Sequence, residues 1–380
     1  MDENFMYNGI TTKNSKEDVI MKKVRIGLIG VGGVMNWGHI PGYLECEDAE
    51  ITAICDIKPA ALEKTGDRLH IPAEHRYADY RDLLKSGVID AVDIATSNDA
   101  HVEIAMAALD AGFPVSVEKP IGMNFAESLA LEKKSKETGL PVFICFSWRY
   151  RNFPRYMKYL IDEGEIGDLY HIYITCIKDS GLWKGRRLEW RFQEDRASSG
   201  VLCDLGSHMF DMIRFFGEEF EHVYCDRGTF IKRRQLEDSE EWGDVTTDDW
   251  SNVICHLKSG VSADVRLSRT VTTEKDYIEF YVIGTKGALR FIYDKGNQKL
   301  LRCTGDDIAA NKFVELTVPE EYQVGGQSRS YVDLLQGKPD KYAATISEGL
   351  YSQAAVDAAK LSSQLGRAVT IKELFEENAE

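Results

Sequence analysis

The stretch that decides the fold is VRIGLIGVGGVM, residues 24–35. Residues 24–29 are a short, mostly apolar run with a glycine at its end, which predicts a strand buried on both faces of a parallel sheet. Directly after it come Gly30, Val31, Gly32, Gly33, Val34 and Met35. Glycines at a strand-to-helix turn permit a tight bend and let backbone N–H groups approach a pyrophosphate at a helix N-terminus. Met35 stands where the third glycine of GxGxxG is expected, and a glycine-rich loop alone is as readily a structural turn as a ligand site. The setting favours the ligand site. A strand precedes it, a helix is predicted after it, and Asp56 closes the next strand, 50–56 (EITAICD), 24 residues after Gly32. An acid there binds ribose hydroxyls and repels a 2′-phosphate, so the expected cofactor is NAD rather than NADP, although Lys58 lies nearby. The competing reading of Asp56 is a turn-forming residue.

Outward from this stretch, strand and helix alternate. Helices are predicted over 59–69, 101–111 (ended by Gly112) and 125–138, with strands over 91–95 (AVDIA), 114–118 (PVSVE) and 141–146. Such alternation implies right-handed βαβ units in a parallel, doubly wound sheet. After Trp148 the pattern changes. One helix over 155–163 is followed by alternating runs at 169–177, 223–231, 250–257, 262–269, 277–283 and 288–293, with turn signals at 258–260 and 285–287, and then a helix over 343–365. The expected fold class is α/β: an N-terminal Rossmann domain (21–147) and a C-terminal α+β domain (148–380) with a large, mostly antiparallel open sheet. The polar residues 1–20 are expected to form a flexible arm, and a cleft is expected between the domains.

The 380 residues carry a net charge of -16, which argues against nucleic acid and anionic membrane as partners but leaves room for a local basic pocket. No apolar run approaches the roughly 20 residues of a membrane span, and residues 1–20 lack a signal-peptide core. The eight cysteines are scattered without a CxxC pair, which suits free thiols in a reducing, cytoplasmic setting and predicts no metal site.

Two further motifs carry chemistry. Glu118-Lys119-Pro120 falls at the carboxyl end of a strand, where open parallel sheets bind ligands. A lysine there can donate to a reacting oxygen, although most lysines after strands are simply solvated. The second is DLGSHMFD, residues 204–211. On one helix, Asp204, His208 and Asp211 would share a stripe, and a carboxylate one turn from an imidazole could orient it as a general base near neutral pH. A solvated polar face is the bland alternative. Gly206 costs about 1 kcal/mol inside a helix, which hints at close approach by a ligand or a neighbouring backbone.

With these pieces in this order, the chain resembles the Gfo/Idh/MocA oxidoreductases, the group that includes glucose–fructose oxidoreductase and inositol dehydrogenase. The resemblance runs from Val24 to the C-terminal helix. It rests on Gly30 to Gly33 with His39-Ile40-Pro41, Cys55-Asp56, Ala95 to Asn98 with His101, Gly112, and Glu118-Lys119-Pro120. Further on it takes in Arg151-Asn152-Phe153-Pro154, Gly164 to Gly167, Trp190-Arg191, and Gly200 through Asp211. It implies that Gly30, Gly32, Gly33, Val34 and Asp56 hold the adenosine half of NAD, while Thr96, Asn98, His101 and Glu118 line the path to the nicotinamide. It implies a catalytic set of Lys119 on the reacting oxygen, His208 as proton acceptor and Asp204 orienting both, with a cis Lys119–Pro120 bond. Arg151, Trp183, Trp190 and Arg191 are the expected substrate contacts. Of the cations in 180–191, Lys184, Arg186 and Arg187 could equally lie on an exposed loop. Two departures bear on the pocket: Met35, and the segment Ala197 to Gly200, which is poorer in glycine than usual. The resemblance implies a hydride transfer at a hydroxyl of a sugar, polyol, inositol or glycoside, and a homodimer or homotetramer paired through the open sheet face. The alternatives are a glycosidase that uses NAD transiently, with no net NADH, and an NAD-binding regulatory protein without turnover.

Overall fold

A computed structural model describes residues 23–273, 276–322, 326–338 and 340–378. The polar arm expected over 1–20 lies outside the described residues.

The first sheet has six strands: β1 Val24–Ile29, β2 Ala49–Cys55, β3 Arg76–Tyr77, β4 Ala91–Ile94, β5 Val115–Val117 and β6 Val142–Ile144. Their order is β3-β2-β1-β4-β5-β6, all parallel. Strand order reverses between β1 and β4, which opens a crevice at their carboxyl ends. Ile26, Leu28, Val92, Ile94, Val115 and Val117 are buried, as strands covered on both faces require. The helix after β1 opens into a wide π-helical turn over Met35–His39. Met35 is fully buried there.

The second sheet has nine strands, β7 Leu169–Lys178, β8 Phe220–Gly228, β11 Trp250–Leu257, β12 Ser262–Ser268, β13 Asp276–Gly284, β14 Gly287–Asp294, β15 Asn297–Thr304, β16 Val314–Leu316 and β17 Val369–Thr370. A separate hairpin, β9 Arg233–Gln235 with β10 Trp242–Asp244, projects from it. Only β7 and β12 pair in parallel; the other pairs are antiparallel. One face packs on the helices Asn152–Asp162, Gly206–Phe216 and Ile346–Leu365 in a single apolar core. The other leaves Tyr170, Tyr173, Tyr224 and Ile254 exposed.

Several boundaries differ from the sequence expectation, among them the helix expected over 155–163, which runs from Asn152 to Asp162, and two of them have a clear local reason. The strand expected over 223–231 stops at Gly228 because the Asp249 carboxylate accepts the N–H groups of Phe230 and Ile231, at 2.8 Å each. The helix expected from 343 starts at Ile346. Residues 343–345 run extended beside β6: Ile144 N–H donates to Ala344 O, and Thr345 then forms a capping box with Glu348. The helix Gly326–Leu335 also returns to the first sheet, where buried Tyr331 donates to Val92 O.

Candidate active site

Every expected cofactor residue lies at the carboxyl ends of the first sheet. Gly30 follows β1 with φ +84°, and a Cβ there would stand 2.7 Å from Ala95 O. Only glycine fits. Gly32 and Gly33 face open space, which leaves a cradle at the start of the helix. Val34 lies in the first turn of that helix, and Asn36 braces the loop through Val31 O and Gly32 O. Asp56 follows β2 and accepts from Lys58 N–H at 2.8 Å, so the turn-forming role is met, and a second carboxylate oxygen remains for a ligand. Thr96 follows β4. Asn98 is buried and donates to Ala197 O at 3.2 Å, tying the crevice to the segment before the helix that carries His208. An open glycine cradle with an acid at the tip of the neighbouring strand suits a dinucleotide.

Lys119 leaves the end of β5, and the Lys119–Pro120 peptide is cis. His101 is buried with Nδ1 2.8 Å from Pro120 O, so it acts on the site through that turn. Lys119 Nζ donates to Asp204 O at 2.9 Å and to Asp204 Oδ1 at 3.2 Å. Glu118 is turned the other way. Its Oε1 lies 2.9 Å from His39 Nε2, while His39 Nδ1 lies 2.8 Å from Asp93 Oδ2. Burial disfavours a charge on His39, but Asp93 and Glu118 outweigh it and raise its pKa to about 10. His39 is therefore a buried imidazolium between two carboxylates. Cys145, also close to His39 and Asp93, has its thiol pushed far up by burial, so the cluster reads as a charge network rather than a ligand set for a metal ion.

The expected stripe of Asp204, His208 and Asp211 is corrected. The helix breaks at Leu205, with Val201–Asp204 on one side and Gly206–Phe216 on the other. Asp211 is buried against Arg149, with oxygens 2.7 and 2.9 Å from Nε, and takes no part in the site. Nor does Asp204 hydrogen-bond His208, because Lys119 captures its carboxylate. Burial opposes the charge on Asp204, yet Lys119, Arg191 and Lys178 hold it well below the usual carboxylate range. His208 lies beside the Phe146 ring, and its Nδ1 is sealed from solvent without a partner. Burial first and Lys119 second push its pKa well below 6.5, against the pull of Asp204; Lys178 and Arg151 push the same way. The imidazole is neutral at working pH, but because of burial and cations, not a carboxylate partner. The hint in Gly206 is also resolved: a Cβ there would stand 2.9 Å from the Leu267 side chain, so the helix crosses β12 closely.

Of the expected substrate residues, Arg151 acts on His208 and Arg191 on Asp204. Arg151 stacks over Trp148 at 3.8 Å, and Arg191 over Trp190 at 4.3 Å. Trp183 is 58% exposed and donates to Asp179 at 3.0 Å. Arg186 is not a free loop cation: it pairs with Glu189 and lies against the buried Phe192 ring. Arg187 reaches Glu240 and Ser239 of the projecting hairpin region, and Lys184 is exposed.

Three groups escaped the sequence reading. Lys178 ends β7 and sits 3.3 Å from Asp276. His39 had a motif but no assigned role. Asp248 is a buried hub that accepts from Gly200 N–H at 2.8 Å, Leu202 N–H at 2.9 Å, Ser251, Ser199 and Arg227. It holds the turn that delivers Asp204. Position 200 must be glycine, since a Cβ there would overlap the Asp248 backbone. Asp248 lies in a run, Thr247 to Asp249, with no local signal linking it to residues 199–204.

Comparison with known proteins agrees with this geometry. A family profile described as an oxidoreductase family with an NAD-binding Rossmann fold matches residues 24–146. The GFO/IDH/MocA C-terminal domain profile matches residues 155–290. Levoglucosan dehydrogenase of Pseudarthrobacter phenanthrenivorans is 28% identical over 313 residues, covering 77% of this chain and 80% of that protein. Myo-inositol 2-dehydrogenase of Thermotoga maritima is 28% identical over 268 residues, 70% of this chain and 74% of its own. A crystal structure of levoglucosan dehydrogenase with NADH and levoglucosan superposes with a TM-score of 0.81 at 25% identity, covering 92% of this chain and all of that one.

Proposed function

The chain belongs to the GFO/IDH/MocA family of oxidoreductases, and from that premise we propose that it moves a hydride between NAD and a secondary hydroxyl or ketone of a sugar, polyol, inositol or glycoside. The observation that carries this reading is the pairing of Lys119 with Asp204 beside a neutral His208, at the carboxyl end of β5 in the same sheet whose β1 leads into the glycine cradle. Gly30, Gly32, Gly33, Val34 and Asp56 would hold the adenosine half of NAD, and Asp56 favours NAD over NADP by repelling a 2′-phosphate. Thr96 and Glu118 would flank the path inward, with Asn98 and His101 bracing it. NAD, when bound, supplies the hydride acceptor.

The residues then divide the remaining work. Lys119 donates to the reacting oxygen and stabilises its negative charge. Neutral His208 takes the hydroxyl proton, and the nearby Asp204 carboxylate offsets the positive charge that forms on the ring. Asp204 also fixes Lys119 in place. Trp183, Trp190, Arg151 and Arg191 would bind the sugar, with residues 148–380 acting as the substrate and assembly domain.

The test is NADH formation at 340 nm, with NAD and NADP separately, against sugars, inositols, sugar acids and glycosides. Lys119→Ala and His208→Ala should each lower kcat/KM about 100-fold or more. Turnover unchanged in both variants would reject the assignment, and aglycone release without NADH would point to a glycosidase.

The exposed Tyr170, Tyr173, Tyr224 and Ile254 on the open sheet face support a homodimer or homotetramer. Light scattering should give two or four copies, and a monomeric mass would count against that pairing. All eight cysteines are free and buried, in keeping with a cytoplasmic location, and no helix among the described residues is long and apolar enough to cross a membrane.

A further inference from the structure

We infer that the substrate of this site carries an anionic group, a carboxylate or a phosphate, received by the free guanidiniums of Arg151 and Arg191. The inference rests on the dehydrogenase reading above and adds the charge of the substrate to it.

Most buried and half-buried arginines elsewhere in this acidic chain find carboxylates, and Arg234 donates instead to the carbonyls of Arg186 and Gly181. Arg149 has Asp211, Arg269 has Asp249, Arg227 has Asp248, Arg214 has Glu219 and Glu348, and Arg329 has Asp48. Arg151 and Arg191 break that pattern. Among the described residues neither side chain donates a hydrogen bond or forms an ion pair; Arg151 stacks on Trp148 and lies over Tyr293, and Arg191 stacks on Trp190. Their nitrogens are not among the sealed, unpartnered atoms, so they keep contact with solvent. Both act on the catalytic pair: Arg151 lowers the proton affinity of His208, and Arg191 that of Asp204. Lys178 stands beside them with Asp276, and Lys119 with Asp204. Four cations therefore face two carboxylates, and Glu118 is already held by His39.

A chain with 62 acidic and 46 basic residues has ample carboxylate to neutralise two arginines. Leaving them free costs desolvation that an incoming anion repays. A guanidinium fork matches the two oxygens of a carboxylate or phosphate, and a neutral hydroxyl uses that geometry poorly. The positive surroundings that keep His208 neutral would also be offset by the bound anion, which raises the basicity of the group accepting the proton.

The experiment measures initial rates of the full chain with NAD on neutral sugars and inositols, and on the aldonates, uronates and 6-phosphates of the same sugars. The best acid should exceed its neutral parent in kcat/KM by about tenfold or more, and the advantage should shrink as ionic strength rises. Arg191→Gln should remove most of the advantage and Arg191→Lys should keep much of it. The wild-type panel stands even if Arg151→Gln does not fold. A winning uronate or aldonate identifies a carboxylate, and a winning 6-phosphate identifies a phosphate. Neutral parents turned over as well as their acids would overturn the inference and leave the dehydrogenase reading standing. NADH from neither class would remove that reading, and this inference with it.

Discussion

At the scale of single residues, the site is governed by which carboxylate reaches which cation. Asp204 was positioned by spacing to serve His208, yet its oxygen goes to Lys119 at 3.2 Å. The consequence is measurable. A group acting as a base works when deprotonated, so a pKa lowered well below 6.5 extends its working range toward acid. The acid limb of kcat/KM should therefore lie below pH 6.5. Replacing Lys119 with Met, which removes the largest charge pushing His208 down, should move the limb toward neutral in whatever activity remains. A limb at or above pH 6.5 in the wild type would contradict the neutral, desolvated imidazole. Residue chemistry here was legible from sequence by type and order, but the pairing was not, because Lys119 and Asp204 lie 85 positions apart.

At the scale of elements, the helices that carry Asp204 and His208 are positioned by the turn before them. Asp248, two residues before β11, accepts two backbone N–H groups at the opening of Val201–Asp204 and pairs with Arg227. Asp248→Asn keeps the shape but removes the charge that those donors and Arg227 face. It should destabilise the fold by about 1–3 kcal/mol, read as a lower Tm, and lower kcat more than it raises KM. A fall in Tm with unchanged kinetics would make Asp248 purely structural. Element type was readable for most of the chain, because the period of apolar residues reports which faces are covered. Element ends were less so. Gly228 closes β8 through a carboxylate supplied by Asp249, and residues 343–345 are taken by the edge of β6. The hairpin of β9 and β10 has a charged sequence with no alternating signal, and it is anchored where Leu236 bridges to Leu188 and packs with Phe192 and Val245.

At the scale of the whole molecule, a buried charge network ties the returning helix Gly326–Leu335 to the first sheet. His39 stands between Asp93 and Glu118, and the returning helix adds Gln327 and Ser328. Its folded pKa of about 10 lies above the unfolded value of roughly 6.5. This stabilisation is complete below pH 6.5 and is lost as pH rises through 10. Tm should fall steadily between pH 7 and 10, and His39→Gln should start lower at pH 7 and flatten that slope. An equal slope in the variant would show that other groups carry the dependence.

The two-sheet architecture, the dinucleotide-type glycine loop and the family could be read along the chain, because these depend on local patterns: apolar period, turn residues and short motifs in a fixed order. It took the folded arrangement to show that Asp204 belongs to Lys119, that Asp211 turns to Arg149, that Asp248 anchors the turn before Asp204 and that Arg151 and Arg191 take no carboxylate partner. Each of these is a contest among distant charges for the same partner. Burial and distance settle such contests, and neither is written in the spacing of residues along one chain.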